Sequence, residues 1–429
     1  MLSRLLYTAL LYITSPIIFS LLLKTKKGKP AIGSRWKEFA GISPGLKQKP
    51  IWIHAVSVGE VIAATPMIEA LQQHYPHQQL LITTTTSTGA ERVQALSGNI
   101  EHRYFPADYP FAIKQFITRI QPSLCLIMET ELWPNMLTIC HAKQIPTVVL
   151  NARLSENSQR KYQRFQPLFS APLQKVTRIL CQNSDDQQRF KTLGLPAEKL
   201  SVTGTVKFDI QFSDSIINSG LALRSQLGQQ RPVFIAASTH KGEDEIILAA
   251  FKQIKQQQPD TVLILVPRHP ERFDNVATLC QTEYPSTRRR SHPNSNSELE
   301  NADIYLGDSM GEMPILIAAS DICFMGGSLL GNKVGGHNLL EPAALAKPCI
   351  TGPSYFNFAD ITAQLLHCGG AVVVNNDTEL ATTVVQLIIQ KAQATAMGLQ
   401  AKSMVDSNKG ALDKIMQQLS PLIDAVNNN

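Results

Sequence analysis

The feature that most constrains this chain is an alternation. From about residue 50 onward, short apolar runs rich in β-branched residues take turns with amphipathic stretches of about ten to fifteen residues. A chain that keeps switching between these two periods builds βα units around a parallel sheet, each crossover helix covering the face its strand leaves open. The predicted strands of the first half are Ile51 to Val56, Leu80 to Thr85, Arg103 to Phe105, Leu124 to Met128, Thr147 to Leu150, Ile179 to Cys181 and Ser201 to Thr203. Those of the second half are Val233 to Ala237, Val262 to Val266, Ile304 to Leu306, Ile322 to Met325, Cys349 to Thr351 and Ala371 to Val374. About thirteen strands are too many for one twisted open sheet, so the pattern predicts an α/β protein with two Rossmann-like domains. The expected divisions are a membrane anchor with basic flank at 1–28, a first domain at 29–210, a polar linker at 211–231 and a second domain at 232–429. The last helix of the second domain is free to pack back on the first. Arg288-Arg-Arg290 and the Ser/Asn-rich stretch after it read as a solvated loop.

In doubly wound sheets ligands bind outside the carboxyl ends of the strands. That rule filters the polar motifs. In the first half it selects Ser57-Val-Gly-Glu60, Glu129-Thr-Glu131, Asn151-Ala-Arg153 and Lys207. In the second half it selects Ser238-Thr-His240, Pro267-Arg-His269, Asp308-Ser-Met-Gly-Glu312, Gly326-Gly-Ser328 and Gly335-Gly-His-Asn338. Two such rims imply a cleft between domains that takes two ligands or one bipartite ligand.

Each motif has a bland reading and a functional one. Ser57 and Glu60 have the spacing of a helix capping box, and equally of a general base at a strand end with Gly59 admitting a ligand; spacing does not separate them. Glu129 and Glu131 follow the buried-looking run LCLIM, where partial desolvation perturbs a carboxylate, but acids also favour a helix's first turn. Lys207 alone is an ordinary surface lysine. Gly335-Gly-His337-Asn338-Leu339-Leu340-Glu341 opens a helix after a glycine-rich loop, which suits a phosphate at the backbone and a ribose on the glutamate, or simply a capped helix. Arg268, between prolines 267 and 270, puts a guanidinium fork where it can take a phosphate or a base carbonyl. Gly326 to Lys333 resembles a P-loop superficially but lacks the Gly-Lys-Ser/Thr ending, and no strand-linked G-x-G-x-x-G occurs. There is no Asp-x-Asp pair to hold a metal on a nucleotide diphosphate. A metal-independent site without a cofactor is therefore expected.

Charge and hydropathy address location. The net charge of +6 raises the question of nucleic acid. Before Glu60, however, nine basic residues and one acid give a local +8, which leaves the rest at −2. A slightly acidic body has no field to track a phosphate backbone, so no nucleic-acid partner is expected. From Leu5 to Leu23 no charged residue appears, and Lys24, Lys26, Lys27 and Lys29 come directly after. Nineteen uncharged residues are near the minimum for a spanning helix, and lysines after the run place the rest of the chain on the cytoplasmic side. Tyr7, Tyr12, Thr14, Ser15, Pro16 and Ser20 weaken the hydropathy, leaving a helix in the membrane interface or one packed on the globule as alternatives. The seven scattered cysteines, without a C-x-x-C pair, fit a reducing compartment. His74 and His77, the one close histidine pair in sequence, sit at the polar end of a helix pattern and read as solvated.

HAVSVGEV, TTTTSTGAERV, METELWPN, NARLS, QNSDDQQRF, GTVKFD, ASTHKGE, LVPRHPERF, GDSMGEM, GGSL, GGHNLLEPAA and GPSYFNF together resemble the bacterial 3-deoxy-D-manno-octulosonic acid (Kdo) transferase family of lipopolysaccharide synthesis. The resemblance runs along essentially the whole chain. It implies the GT-B glycosyltransferase fold, CMP-Kdo as donor, the lipid A precursor (lipid IV-A) as acceptor, and work at the cytoplasmic face of the inner membrane. It also implies Glu60 as proton acceptor, with Glu129 and Lys207 stabilising the transition state. CMP contacts would fall on Pro267, Arg268, Met310, Gly311, Glu312, Asn338, Leu339, Leu340 and Glu341. Two departures are Leu339, where the family usually has Pro, and a lengthened Leu329 to Val334 stretch. The rival classes are a GT-B enzyme or epimerase acting on UDP- or GDP-sugars, and a membrane-tethered nucleotide-binding protein without chemistry.

Overall fold

The apolar runs of the first half become seven strands: β1 (Ile51–His54), β2 (Leu80–Thr84), β3 (Ile100–Tyr104), β4 (Leu124–Met128), β5 (Thr147–Ala152), β6 (Arg178–Cys181) and β7 (Leu200–Val202). They form one parallel sheet in the order β3-β2-β1-β4-β5-β6-β7. Every residue of β1, β2, β4 and β5 is buried, as a sheet covered on both faces requires. Successive side chains go to opposite faces. Trp52, Leu81, Cys125, Ile127 and Val149 pack with Ile113, Phe116 and Met136 on one face, while Ile51, Ile53, Ile82, Leu126 and Leu150 pack with Val61, Ile68 and Leu71 on the other.

This computed structural model describes residues 2–23, 32–293 and 296–427. They divide into two units, one running to Asp209 and resuming at Lys409, the other spanning Ile210–Asn408. The final helix, Ala411–Asn427, thus belongs to the first unit, and the second ends at Asn408 rather than at residue 429. Its Ile415, Leu419 and Ile423 join the core that Val61 and Leu71 also enter. The Asp209 carboxylate accepts the N–H groups of Gly410 (2.6 Å) and Leu412 (2.7 Å), satisfying donors that a helix start leaves free.

The second unit carries β8 (Val233–Thr239), β9 (Val262–Pro267), β10 (Arg288–Arg289), β11 (Ile304–Leu306), β12 (Ile322–Met325), β13 (Cys349–Thr351) and β14 (Ala371–Val373). Their order, again all parallel, is β10-β11-β9-β8-β12-β13-β14. Strand β10 corrects the loop expected at Arg288 to Arg290: a two-residue edge strand has no apolar run to announce it. It pairs with Tyr305 and Leu306 of β11. The 211–231 linker is also corrected, since Asp214–Leu227 is a helix of the second unit; it buries only Gly220, Leu223 and Leu227, too few to show a period.

At the amino end Leu2–Leu23 is a single helix with Pro16 inside it. Among the described residues no helix is long and apolar enough to cross a membrane, which corrects the spanning anchor. Some of its polar side chains bond or stack on the rest of the first unit. Thr8 meets the Asn135 amide (3.2 Å), Ser15 meets the Tyr109 hydroxyl, and the Tyr12 and Tyr109 rings lie 5.0 Å apart. Leu5, Leu6, Leu10 and Ile13 remain exposed, Ile13 by 73%. The basic flank at Lys24, Lys26, Lys27 and Lys29 lies outside the described residues.

Candidate active site

In each sheet the strand order reverses at the unit's first strand, between β1 and β4 in the first and between β8 and β12 in the second. Loops leaving the carboxyl ends on either side of such a switch point splay apart and open a ligand crevice.

At the first switch point the helix Val58–His74 begins directly after β1. Ser57 caps it, accepting the Glu60 N–H at 3.4 Å, and the Glu60 carboxylate reaches back to the Val56 N–H (2.8 Å) and the Ser57 hydroxyl (3.3 Å). The capping reading is therefore right, and it holds a chemically unusual group. Burial, with the Glu131 and Glu129 carboxylates nearby, pushes Glu60 up to about 7 against the pull of the Val56 N–H. A carboxylate in that range is poised as a base near neutral pH. The cap fixes where the oxygen points; the burial sets its affinity for a proton.

Glu129 stands on the other side of the same switch point, immediately after β4. Its φ of 56° is left-handed, a conformation costly for a residue with a Cβ and concentrated at functional sites. Its N–H continues the ladder to Leu150 O (2.9 Å). Asn151, one strand over, is also left-handed (φ 52°) and fully buried, with neither end of its side-chain amide bonded among the described residues. Glu131, raised by burial and by Glu129, completes an acidic rim. Lys207 lies in the single turn Val206–Phe208 after β7, its N–H capped by Thr205. Sequence reasoning named Glu131 without assigning it work; its contribution is the field it puts on Glu60.

The second rim has the opposite character. Arg268 follows β9, is exposed, and among the described residues no protein group bonds its guanidinium. The other arginines of this rim are paired: Arg272 with Asp244, Arg289 with Asp308 (2.6 Å), Arg290 with Glu312 (2.7 Å). Glu312 is thereby held below the usual carboxylate range by Arg290, so its side chain is already engaged. Met310 and Gly311 beside it are exposed, and Gly311 (φ 82°) has open space where a Cβ would stand. Leu339 and Leu340 are fully buried, leaving only their backbone for a ligand. The helix they open, Leu340–Ala344, has five residues, and its Leu340 N–H is taken by the Asn338 side chain (3.1 Å). Glu341 is raised by burial, opposed by Arg268, and among the described residues its carboxylate bonds no protein group. Pro267 ends β9 and is buried.

Gly326 to Leu329 does cradle an anion, but the anion is internal. The fully buried Glu243 carboxylate accepts the N–H groups of Gly327 (2.6 Å), Ser328 (3.1 Å), Leu329 (3.1 Å) and His240 (3.2 Å). Sequence reasoning missed this residue, which lies more than eighty positions from its loop. It also missed a contact between His240 and His337, whose Nε2 atoms are 2.8 Å apart. Among the described residues no three His, Cys, Asp or Glu side chains are grouped to hold a metal ion.

Two parallel-sheet α/β units, each with polar groups gathered at its switch point, have the GT-B type of architecture shared by glycosyltransferases and nucleotide-sugar epimerases. The UDP-N-acetylglucosamine 2-epimerase of Neisseria meningitidis has that fold in common (TM-score 0.55, 15% identity, 87% of this chain and 100% of that one). The family model for 3-deoxy-D-manno-octulosonic-acid transferases matches residues 34–210, and that for group 1 glycosyl transferases matches residues 229–404. The 3-deoxy-D-manno-octulosonic acid transferase of Haemophilus influenzae is 41% identical over 428 residues, 98% of this chain and 99% of its own length. That of Bordetella pertussis is 32% identical over 404 residues, covering 90% and 92%. The chain belongs to the 3-deoxy-D-manno-octulosonic acid (Kdo) transferase family and is a transferase enzyme.

Proposed function

We propose that this enzyme moves Kdo from CMP-Kdo to the lipid A precursor, lipid IV-A, in lipopolysaccharide synthesis, with Glu60 as the general base and without a metal or cofactor. The observation that carries the reading is the Glu60 carboxylate, aimed by its own helix cap at a switch point and raised to about 7. Glu60 takes the proton of an acceptor hydroxyl as its oxygen attacks the anomeric carbon of Kdo. The bond from that carbon to the CMP phosphate breaks, and its electron pair leaves on the phosphate oxygen. Glu129 and Glu131 provide negative potential for the oxocarbenium-like charge of the sugar, while Lys207 offsets negative charge developing elsewhere. Arg268, unpaired, suits the phosphate as a fork; Glu341, unpaired and partly buried, suits the ribose hydroxyls. The open backbone at Met310 and Gly311 suits the cytosine. The exposed Leu5, Leu6, Leu10 and Ile13 support an amino-terminal helix lying in the interface of the inner membrane on its cytoplasmic side.

Release of CMP from CMP-Kdo, followed with and without lipid IV-A, tests the reaction. Release that depends on the acceptor is expected. Release without acceptor, or turnover of UDP-sugars instead, would replace this reading with a rival one. Removing the residues before Lys24 should weaken activity on bilayer-embedded acceptor more than on detergent-dispersed acceptor; equal losses would count against the interfacial helix.

A further inference from the structure

Strand β10 is only two residues long and lies at the edge of the second sheet. It adds little pairing of its own, yet Arg289 in it and Arg290 directly after it are not solvated. Both reach the turn Asp308 to Glu312, which follows β11, and they hold that turn at its two ends. At the first end the buried Asp308 carboxylate takes the Arg289 Nε–H at 2.6 Å, and Ser291 gives it an N–H (2.8 Å) and a hydroxyl (2.5 Å). At the second end the Arg290 guanidinium meets Glu312 as a fork, Nε to Oε2 at 3.1 Å and Nη2 to Oε1 at 2.7 Å, and the Ser309 hydroxyl donates to the same Oε2. Arg288, the remaining member of the run, is directed elsewhere and pairs with Glu298 at 3.9 Å.

Both carboxylates stay ionised near neutral pH, so neither staple loosens there. Arg290 holds Glu312 below its ordinary range. Against the pull of burial, Ser291 and Arg289 do the same for Asp308. A planar guanidinium set on a carboxylate by two N–H groups fixes direction as well as distance, which a single ammonium does not.

Between the staples the backbone is open. Among the described residues, no protein group bonds the N–H or C=O of Ser309, Met310 or Gly311. Met310 is 62% exposed, and Gly311 is left-handed at φ 82°. A segment with neither ladder nor helix to shape it loses conformational entropy when a ligand orders it. Holding both of its ends beforehand removes much of that cost. The cytosine placed here offers an amine where uracil offers a carbonyl. A turn whose N–H and C=O groups are fixed in order tells the two apart, and one that has lost its order does not.

We propose that Arg289 and Arg290 are positioning residues for nucleotide binding: they fix the turn Asp308 to Glu312 in the shape that takes the base, and Glu312 acts through Arg290 rather than by touching the nucleotide. The proposal rests on CMP as the nucleotide and on its base lying at this turn. A turn that keeps the binding shape for only about a tenth of the time binds about tenfold more weakly.

A double-mutant cycle on CMP binding to the full chain, followed by calorimetry with UMP as the second ligand, tests the division of roles. R290A and E312A, each shown to be folded by its circular dichroism and melting, should bind CMP about tenfold more weakly and lose about the same share of the preference for CMP over UMP. The double variant should be no more than about twofold worse than either. R290K, which keeps the charge without the fork, should recover only part of the loss. R289Q, which frees the other end of the turn, should weaken CMP about threefold, and R288Q should bind as the wild type does. In turnover, KM for CMP-Kdo should rise with each loss while kcat stays within about twofold, because neither arginine touches the reacting atoms. Losses that multiply to about a hundredfold in the double variant, or a CMP preference lost in E312A but kept in R290A, would put Glu312 on the nucleotide and overturn the proposal. So would a CMP affinity unchanged in both R290A and R289Q. A wild type that does not bind CMP would instead overturn the donor assignment, and the proposal with it.

Discussion

The two switch points have opposite chemistry on closely similar scaffolds. In the first unit, among the described residues, no lysine or arginine is ion-paired with the crowded carboxylates Glu60, Glu129 and Glu131; Glu60 is held only by the Val56 N–H and the Ser57 hydroxyl, and Glu60 and Glu131 are raised by burial and by the carboxylates beside them. In the second unit, among the described residues, Glu243, Asp244, Asp308 and Glu312 are tied to an arginine, a hydroxyl or a backbone nest, while Glu341 and the exposed Glu271 and Arg268 are not. A sheet edge does not dictate this difference. The comparison teaches that the first rim keeps its acids without a cationic partner, as the proposed base requires, and that the second ties up most of its own, as the proposed anion site requires.

Removing the proton acceptor should break the first rim alone. Glu60→Gln keeps the shape and can still accept the Val56 N–H, so transfer should fall by about 10²- to 10⁴-fold while CMP binds as before. A parallel loss of CMP affinity would erase the division of labour. The same substitution has a stability signature. Because the folded-state value of about 7 lies above the ordinary 4.5, the wild type is penalised as pH rises from 4.5 through 7, by about 3 kcal/mol relative to Glu60→Gln. Unfolding by denaturant across that range measures it, and parallel curves for the two proteins would refute the burial of the charge.

The converse substitution is Arg268→Ala. It should weaken CMP binding about thirtyfold and leave the pH dependence of the transfer step where it was. A shift of that dependence would mean that the two rims do not act separately. The smallest and sharpest effect belongs to Glu131→Gln, which removes a like charge beside Glu60 and should move the acidic limb of the rate profile to lower pH; movement to higher pH would reverse the assigned cause.

Much of this is legible in the chain. Fully buried parallel strands announce themselves as uninterrupted apolar runs, which is why β4 and β9 lie where the pattern predicts them, and the residues after such runs fall on the rims. The two arginines of β10 have no such run, and the helix at Asp214–Leu227 buries too little to show a period. The spanning anchor fails for a related reason: Tyr12 and Ser15, which weaken the hydropathy, stack or bond on the globule, and Thr8 bonds there too. Contacts across long separations are not legible. Nothing near Glu243 announces a loop more than eighty residues on, and His240 and His337 meet only because β8 and β12 are neighbours in the sheet.

The central claim, that Glu60 is the base, is tested most directly by the pH dependence of kcat/KM for acceptor with CMP-Kdo saturating, measured for the wild type and Glu60→Gln between about pH 5.5 and 8.5. The wild-type value should rise about tenfold per pH unit below about 7 and level above it, and the variant should be slow and lack that limb. A flat wild-type profile, or the same limb in a fully active Glu60→Gln, would contradict it.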